Sequence, residues 1–163
     1  MDMKLYMKQK VWSIKQDFDI FDVEESPVYH VSEKMFTFGR QMTIIDAITR
    51  DTLCEVKQKL LSFTPTLEVF CQGKKICTIR KKITFFKPSY EVSGLNWSIK
   101  GDFWGHDYTI NESDGTMIAD IRKKFLSWSD TFEFNIVYDD IDPVQVVAVI
   151  LAIDMAMDMD DSK

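Results

Sequence analysis

A chain of 163 residues that is 45% apolar and 13% aromatic is long enough for one domain with a substantial core, and too apolar to be disordered. Of its 26 acids and 20 bases, seven acids and one base lie in residues 135–163, so the formal charge of −6 belongs to the end of the chain and the body is neutral. A neutral body argues against nucleic acid as a partner. The opening run, M-D-M-K-L-Y-M-K-Q-K, has no apolar signal region, which predicts a cytoplasmic protein. Cys54, Cys71 and Cys77 are odd in number and form no C-x-x-C pair, so reduced, buried thiols are expected.

Residues 4–22 alternate apolar and polar over short runs, the pattern of a half-buried strand. Glu25-Ser26-Pro27 ends it. Val28–Val31, Met35–Phe38 and Met42–Ile45 follow as short strands, with Gly39 at a turn or bulge.

Three segments then align without gaps: V-K-Q-K-L-L-S-F-T-P-T-L-E-V from Val56, I-R-K-K-I-T-F-F-K-P-S-Y-E-V from Ile79, and I-R-K-K-F-L-S-W-S-D-T-F-E-F from Ile121. Each reads as a β-hairpin turning at S-F-T-P, F-F-K-P or S-W-S-D. That register sets Lys59 across from Glu68, Lys82 from Glu91 and Lys124 from Glu133. Leu60, Ile83 and Phe125 then face Leu67, Tyr90 and Phe132 on the core side. Gln58, Lys81 and Lys123 also fall on the inward face, which requires either a rim position or a bulge. Farther out, Trp104-Gly105-x-x-Tyr108-Thr109-Ile110 echoes Phe38-Gly39-x-x-Met42-Thr43-Ile44, so residues 28–69 and 95–134 read as duplicated halves.

The last element is D-P-V-Q-V-V-A-V-I-L-A-I-D-M-A-M, Asp142 to Met157. Asp142 suits an N-cap and Pro143 the first helical position. Only Gln145 and Asp154 are polar after that, so the helix must be surrounded on every side. Fourteen residues rise about 21 Å, short of the ~30 Å of a bilayer core, so a helix buried inside its own domain is expected, with a lipid-inserted tail as the alternative. Many short antiparallel strands plus one such helix predict a mainly β fold, a closed antiparallel barrel with the helix in its lumen. One domain over 1–163 is expected: strands in 1–141, the helix over 142–157 and an acidic tail over 158–163. Asp154 is read as the point where the helix emerges from the barrel, the alternative being an internal polar site.

L-Y-M-K-Q-K at Leu5–Lys10, K-L-L-S-F-T-P at Lys59–Pro65, I-R-K-K-I-T-F-F-K-P at Ile79–Pro88, G-D-F at Gly101–Phe103 and V-I-L-A-I-D at Val149–Asp154 resemble the LURP-one-related family, similar to tubby C-terminal domains and phospholipid scramblases. The resemblance spans nearly the whole chain. It implies a tubby-like barrel of about twelve strands around a central C-terminal helix, and a connection with membrane lipids.

The sharpest functional candidate is basic. Lys74, Lys75, Arg80, Lys81, Lys82 and Lys87 occur within fourteen residues that hold no acid, beside Phe85, Phe86 and Pro88. They are taken as an anion- or lipid-binding face, each base near an anionic surface adding about 1 kcal/mol. The competing reading is a solvated outer face. His30 and His106 have no histidine or cysteine neighbours, and no nucleophile elbow, Walker loop or dinucleotide fingerprint occurs. A non-enzymatic binding module without a cofactor or metal is expected, with an anionic phospholipid surface or a protein as partner. The alternatives are a small-molecule binder or enzyme with a site at a barrel mouth near His106 and Trp104, or a protein-interaction scaffold.

Overall fold

The computed structural model describes residues 2–8, 17–82, 89–102, 105–126, 129–137 and 139–161. These form twelve strands and one helix. The strands are β1 (Met3–Lys8), β2 (Phe18–Phe21), β3 (Pro27–Phe36), β4 (Gly39–Asp46), β5 (Thr52–Gln58) and β6 (Thr66–Cys71). They continue as β7 (Lys74–Lys82), β8 (Ser89–Ser93), β9 (Ser98–Asp102), β10 (Asp107–Asn111), β11 (Met117–Leu126) and β12 (Ser129–Ile136), before α1 (Pro143–Asp161). Strand pairing runs β8-β7-β6-β5-β4-β3-β2-β1-β12-β11-β10-β9. The two ends of that order, β8 and β9, are joined by a short turn and a Val92–Trp97 bridge, so the sheet is a nearly closed barrel. Nearly every strand repeats the period of two that its sequence shows. Leu5 and Met7, Met42 and Ile44, Cys54 and Val56, Leu67 and Val69, and Phe132 and Phe134 point inward and are buried.

α1 fills the lumen. Every residue from Val146 to Met157 is buried. The N-cap is as expected: the Val144 amide donates to Asp142 Oδ1 at 3.2 Å. Six of the buried side chains, Val146, Val147, Val149, Ile150, Leu151 and Ile153, are branched aliphatics. Together they contribute on the order of 10 kcal/mol of apolar burial, comparable with the whole net stability of a domain. The helix runs on to Asp161, so the start of the expected tail is helical.

The three repeats do form hairpins, but each register differs from the expected one by two residues. Lys57 lies across from Glu68, Arg80 from Glu91 and Arg122 from Glu133. Gln58 faces Leu67, Lys81 faces Tyr90 and Lys123 faces Phe132. Pro65 shows why in the first repeat. It has no amide hydrogen for the ladder, so pairing stops at Thr66 and residues 60–65 form a loop. In the third repeat, pairing continues to Leu126–Ser129. A slip of two preserves the period, so the paired residues keep their faces, but Leu60, expected on the core side opposite Leu67, falls in the loop and is 44% exposed. Ile83, Phe85, Phe86 and Pro88 lie outside the described residues. The duplicated halves correspond to β3–β6 and β9–β12, with Met42 and Tyr108 buried at matching positions.

The cysteines differ from expectation. Cys54 and Cys71 face inward at one ladder position, their Cα atoms 4.1 Å apart, and pair as a disulfide. No sequence spacing reveals this, because only the β5–β6 register brings the two together. Cys77 remains a buried thiol, its pKa pushed up to about 12 by burial.

Three outcomes follow from this structure. Leu151→Ala should lower stability by about 2–5 kcal/mol in urea unfolding, the usual cost of a buried cavity. Deleting residues 142–163 should abolish cooperative unfolding and leave an aggregating barrel. A soluble, cooperatively folding truncation would overturn the central role of α1. Mass spectrometry of unreduced protein should find it two hydrogens lighter than the reduced chain, and reduction should lower stability by about 3 kcal/mol for a loop of this size.

Candidate functional site: the barrel mouth at the helix C-terminus

Antiparallel pairing places the ends of β3, β5, β7, β9 and β11 and the starts of β4, β6, β8, β10 and β12 at one end of the barrel. α1 runs back toward that end, so its last turns, with Asp154 and Asp158, meet the mouth. There the inward rows of strand residues change from apolar to polar. β3 continues Tyr29, Val31 with Glu33, and β4 begins with Arg40 before Met42 and Ile44. Gln58, Lys81 and Lys123 are the inward residues near the ends of β5, β7 and β11, all half-buried. The rim position expected as one alternative for them is therefore correct.

Arg40 anchors the mouth. Its Nε donates to Glu33 Oε1 at 2.9 Å, and Nη2 donates to the same oxygen. Nη1 donates to Asp158 Oδ2 at 2.7 Å. Arg40 and Glu33 are each only 5% exposed. Burial alone would lower the Arg40 pKa, but the two carboxylates outweigh it and hold the guanidinium charge more firmly than usual. The Arg40 amide donates to Gln58 Oε1 at 2.9 Å. Gly39 makes this possible: its φ is +114°, and a Cβ there would sit 2.9 Å from that same Gln58 oxygen.

Asp154 corrects the expectation that the helix emerges at this residue. It is 8% exposed and still inside the barrel, and the helix emerges one turn later, at Asp158. Its Oδ1 lies 3.6 Å from His106 Nδ1, and its Oδ2 has no hydrogen-bond partner among the described residues. Burial raises its pKa to about 7, helped by Asp158 and Glu33 and opposed by Arg40. His106 sits in the β9–β10 turn, its ring edge-on to Phe132 with centroids 4.8 Å apart. Tyr108 is buried beside Asp154, and burial followed by that charge holds its hydroxyl well above its usual pKa. Trp104 lies outside the described residues.

Apolar side chains crowd the outer lip. Phe36 and Phe38 stack at 4.8 Å on the β3–β4 turn. Met35 and Leu60 are exposed, and Leu61 and Phe63 on the β5–β6 loop are fully exposed. The loop is held by Ser62 Oγ, which donates to the carbonyls of Lys59 and Thr64 at 3.2 and 2.8 Å. Between this loop, Arg40 and the last turn of α1 lies a cavity of about 440 Å³.

The basic residues singled out from sequence do not form one cluster. Lys74 and Lys75 begin β7 and Lys82 ends it, about 27 Å apart along a nine-residue strand. Lys75, in the half of β7 away from the mouth, pairs with Glu68 at 3.0 Å. Arg80, Lys81 and Lys82 reach the mouth: Arg80 lies across from Glu91, Lys82 across from Ser89, and Lys81 on the inward face. Lys87 lies outside the described residues. Glu33, Arg40 and Asp158 were missed, although charged residues in the inward phase of β3 and β4 were the available signal. Among the described residues no three histidine, cysteine or carboxylate side chains converge as a metal site requires. Chemically, the mouth pairs one buried guanidinium with Glu33 and Asp158 and raises the proton affinity of Asp154 beside them.

A family model described as LURP-one-related matches residues 3–154. The chain belongs to this family. Two further proteins are similar to it. The uncharacterised protein YxjI of Bacillus subtilis (strain 168) is 34% identical over 161 residues, covering 99% of this chain and 98% of that protein. An X-ray structure of an Arabidopsis thaliana protein superposes with a TM-score of 0.67 at 14% identity, covering 94% and 90% of the two chains. That likeness is one of fold.

The buried acid of this LURP-one-related chain makes stability depend on pH. An unfolded aspartate titrates near 3.9, and folded Asp154 at about 7. The folded state binds this proton more tightly, so its contribution is complete below about pH 4 and is lost as pH rises through about 7. Asp154→Asn should therefore stabilise the protein at pH 8, by on the order of 2 kcal/mol, and the gain should shrink toward pH 4. Urea unfolding of both proteins at several pH values measures it. A difference independent of pH would mean that Asp154 titrates normally.

Proposed function

We propose that this protein is a non-enzymatic, tubby-like module that contacts an anionic membrane surface with the mouth end of its barrel. One observation carries the reading: bases and exposed apolar tips share that end, along the arc from β3 to β8. Lys34, Lys59, Arg80 and Lys82 are exposed there, beside Phe36, Phe38, Leu61 and Phe63. At the opposite end acids outnumber bases, although Arg50, Lys74 and Lys75 are exposed there too. The exposed acids there include Glu24, Glu25, Asp51, Asp114, Asp139, Asp140 and Asp142. This polarity would orient the barrel mouth-down on a negative surface. Each base near such a surface adds about 1 kcal/mol, and each inserted Leu or Phe about 1.5–3 kcal/mol. Among the described residues no helix is long and apolar enough to cross a membrane.

The basic element of the reading is thereby narrowed from Lys74–Lys87 to the mouth half of β7. Co-sedimentation with anionic and zwitterionic vesicles, at low and physiological salt, tests it. Binding should be confined to anionic vesicles and should weaken with salt. It should fall in Arg80→Glu/Lys82→Glu and, separately, in Leu61→Ser/Phe63→Ser, while Lys74→Glu/Lys75→Glu leaves it unchanged. Absence of binding under every condition, or equal loss in the Lys74/Lys75 variant, would refute the assignment.

A further inference from the structure

The cavity behind the lip has the size of a small-molecule site, at about 440 Å³ against the usual roughly 300–1,000 Å³. Its two sides differ in chemistry. The inner side is Arg40, Gln58 and Asp158, and the outer walls are Leu60, Phe63 and Met159. Asp158 is the one acid among its lining residues, while Arg40 and Lys59 are the bases.

The Arg40 guanidinium is divided between two kinds of partner. Its inner edge, Nε and Nη2, is taken by buried Glu33, which comes from the adjacent strand. Its remaining Nη1 is taken by Asp158, whose side chain is 24% exposed and so lies on the solvent side of the pair. Asp158 sits one residue beyond the fully buried stretch Val146–Met157. It can therefore leave Arg40 without unpacking the core. If another carboxylate or a phosphate took its place, Arg40 would stay paired and no buried charge would be left uncompensated. The apolar walls would then cover a tail extending from that head.

We infer that this pocket binds a single-chain anionic amphiphile, a carboxylate or phosphate head on an alkyl tail, with the head on Arg40 Nη1 and Asp158 as its built-in competitor. The inference rests on the lipid-facing reading of this end only for the source of the amphiphile. The pocket chemistry stands apart from it. The bland alternative is that Asp158 merely clasps the helix to the barrel.

Calorimetric titration of the full chain with decyl phosphate and with decanoate, below their micelle concentrations, separates the two. Decyl maltoside serves as the neutral amphiphile and inorganic phosphate as the head alone. Decyl phosphate should bind, the maltoside and the bare phosphate far more weakly. Asp158→Asn should tighten decyl phosphate by about tenfold, because a site occupied by its own competitor loses apparent affinity in proportion. Leu60→Ser/Phe63→Ser, confined to the exposed loop, should weaken it by about tenfold through lost apolar cover. No binding of either anionic amphiphile, equal binding of the maltoside, or unchanged affinity in Asp158→Asn would overturn the inference. Arg80→Glu/Lys82→Glu should leave amphiphile affinity intact while reducing vesicle sedimentation. Vesicle binding without amphiphile binding would refute the pocket alone. Amphiphile binding without vesicle binding would refute the membrane reading alone and make a free amphiphile the source.

Discussion

A helix with apolar side chains on every side is stable only where its whole circumference is covered. In this protein that requirement shapes nearly everything else. Helices would cover α1 in patches, whereas a sheet curled through twelve strands covers it continuously and leaves few edges. The strands in turn need α1, since their inward side chains alone would not fill so wide a lumen. Neither component is stable without the other, and their common boundary is the core.

The same constraint locates the chemistry. Inside the barrel, polar groups are admitted only where the helix approaches the mouth, and there they come as a connected set. One guanidinium, Arg40, faces Glu33 and Asp158 directly and lies near Asp154. A single positive charge cannot balance three carboxylates in a poorly solvated space. Asp154, desolvated first of all by its burial and then repelled by Asp158 and Glu33, keeps its proton up to about pH 7. The outer lip solves a different problem. Leu61 adopts a φ of +65°, rare for leucine, in a loop that turns apolar side chains toward solvent rather than inward.

Much of the fold was legible in the sequence because it rests on period and on capping. The alternation of β4 and β5, the Asp142-Pro143 start of the helix and its unbroken apolar run all keep in the structure the meaning they carry in the sequence. The repeats gave the hairpins and the faces of the paired residues, though not of Leu60, expected inward and found in the exposed loop. They did not give the register, because a shift of two residues leaves every paired face unchanged and only Pro65 marks where pairing ends. The site was far less legible. Glu33, Arg40 and Asp158 lie on three elements far apart in sequence, and their meeting depends on barrel closure. Lys74 and Lys82, close in sequence, are held apart by the rigidity of the strand between them. The Cys54–Cys71 pair was hidden for the same reason as the register.

The order of the elements along the chain has a kinetic consequence. β1 completes its pairing only when β12 exists, as in the opposition of Leu5 and Phe134, and the helix that fills the lumen comes after both. During synthesis the intervening strands leave the ribosome before their core does, each with one apolar face and nothing to bury it against. Such long-range closure is slow, and the waiting chain is exposed to wrong pairings. Yield during expression should then be limited by how quickly the last segment arrives, more than by the strength of any hairpin made before it.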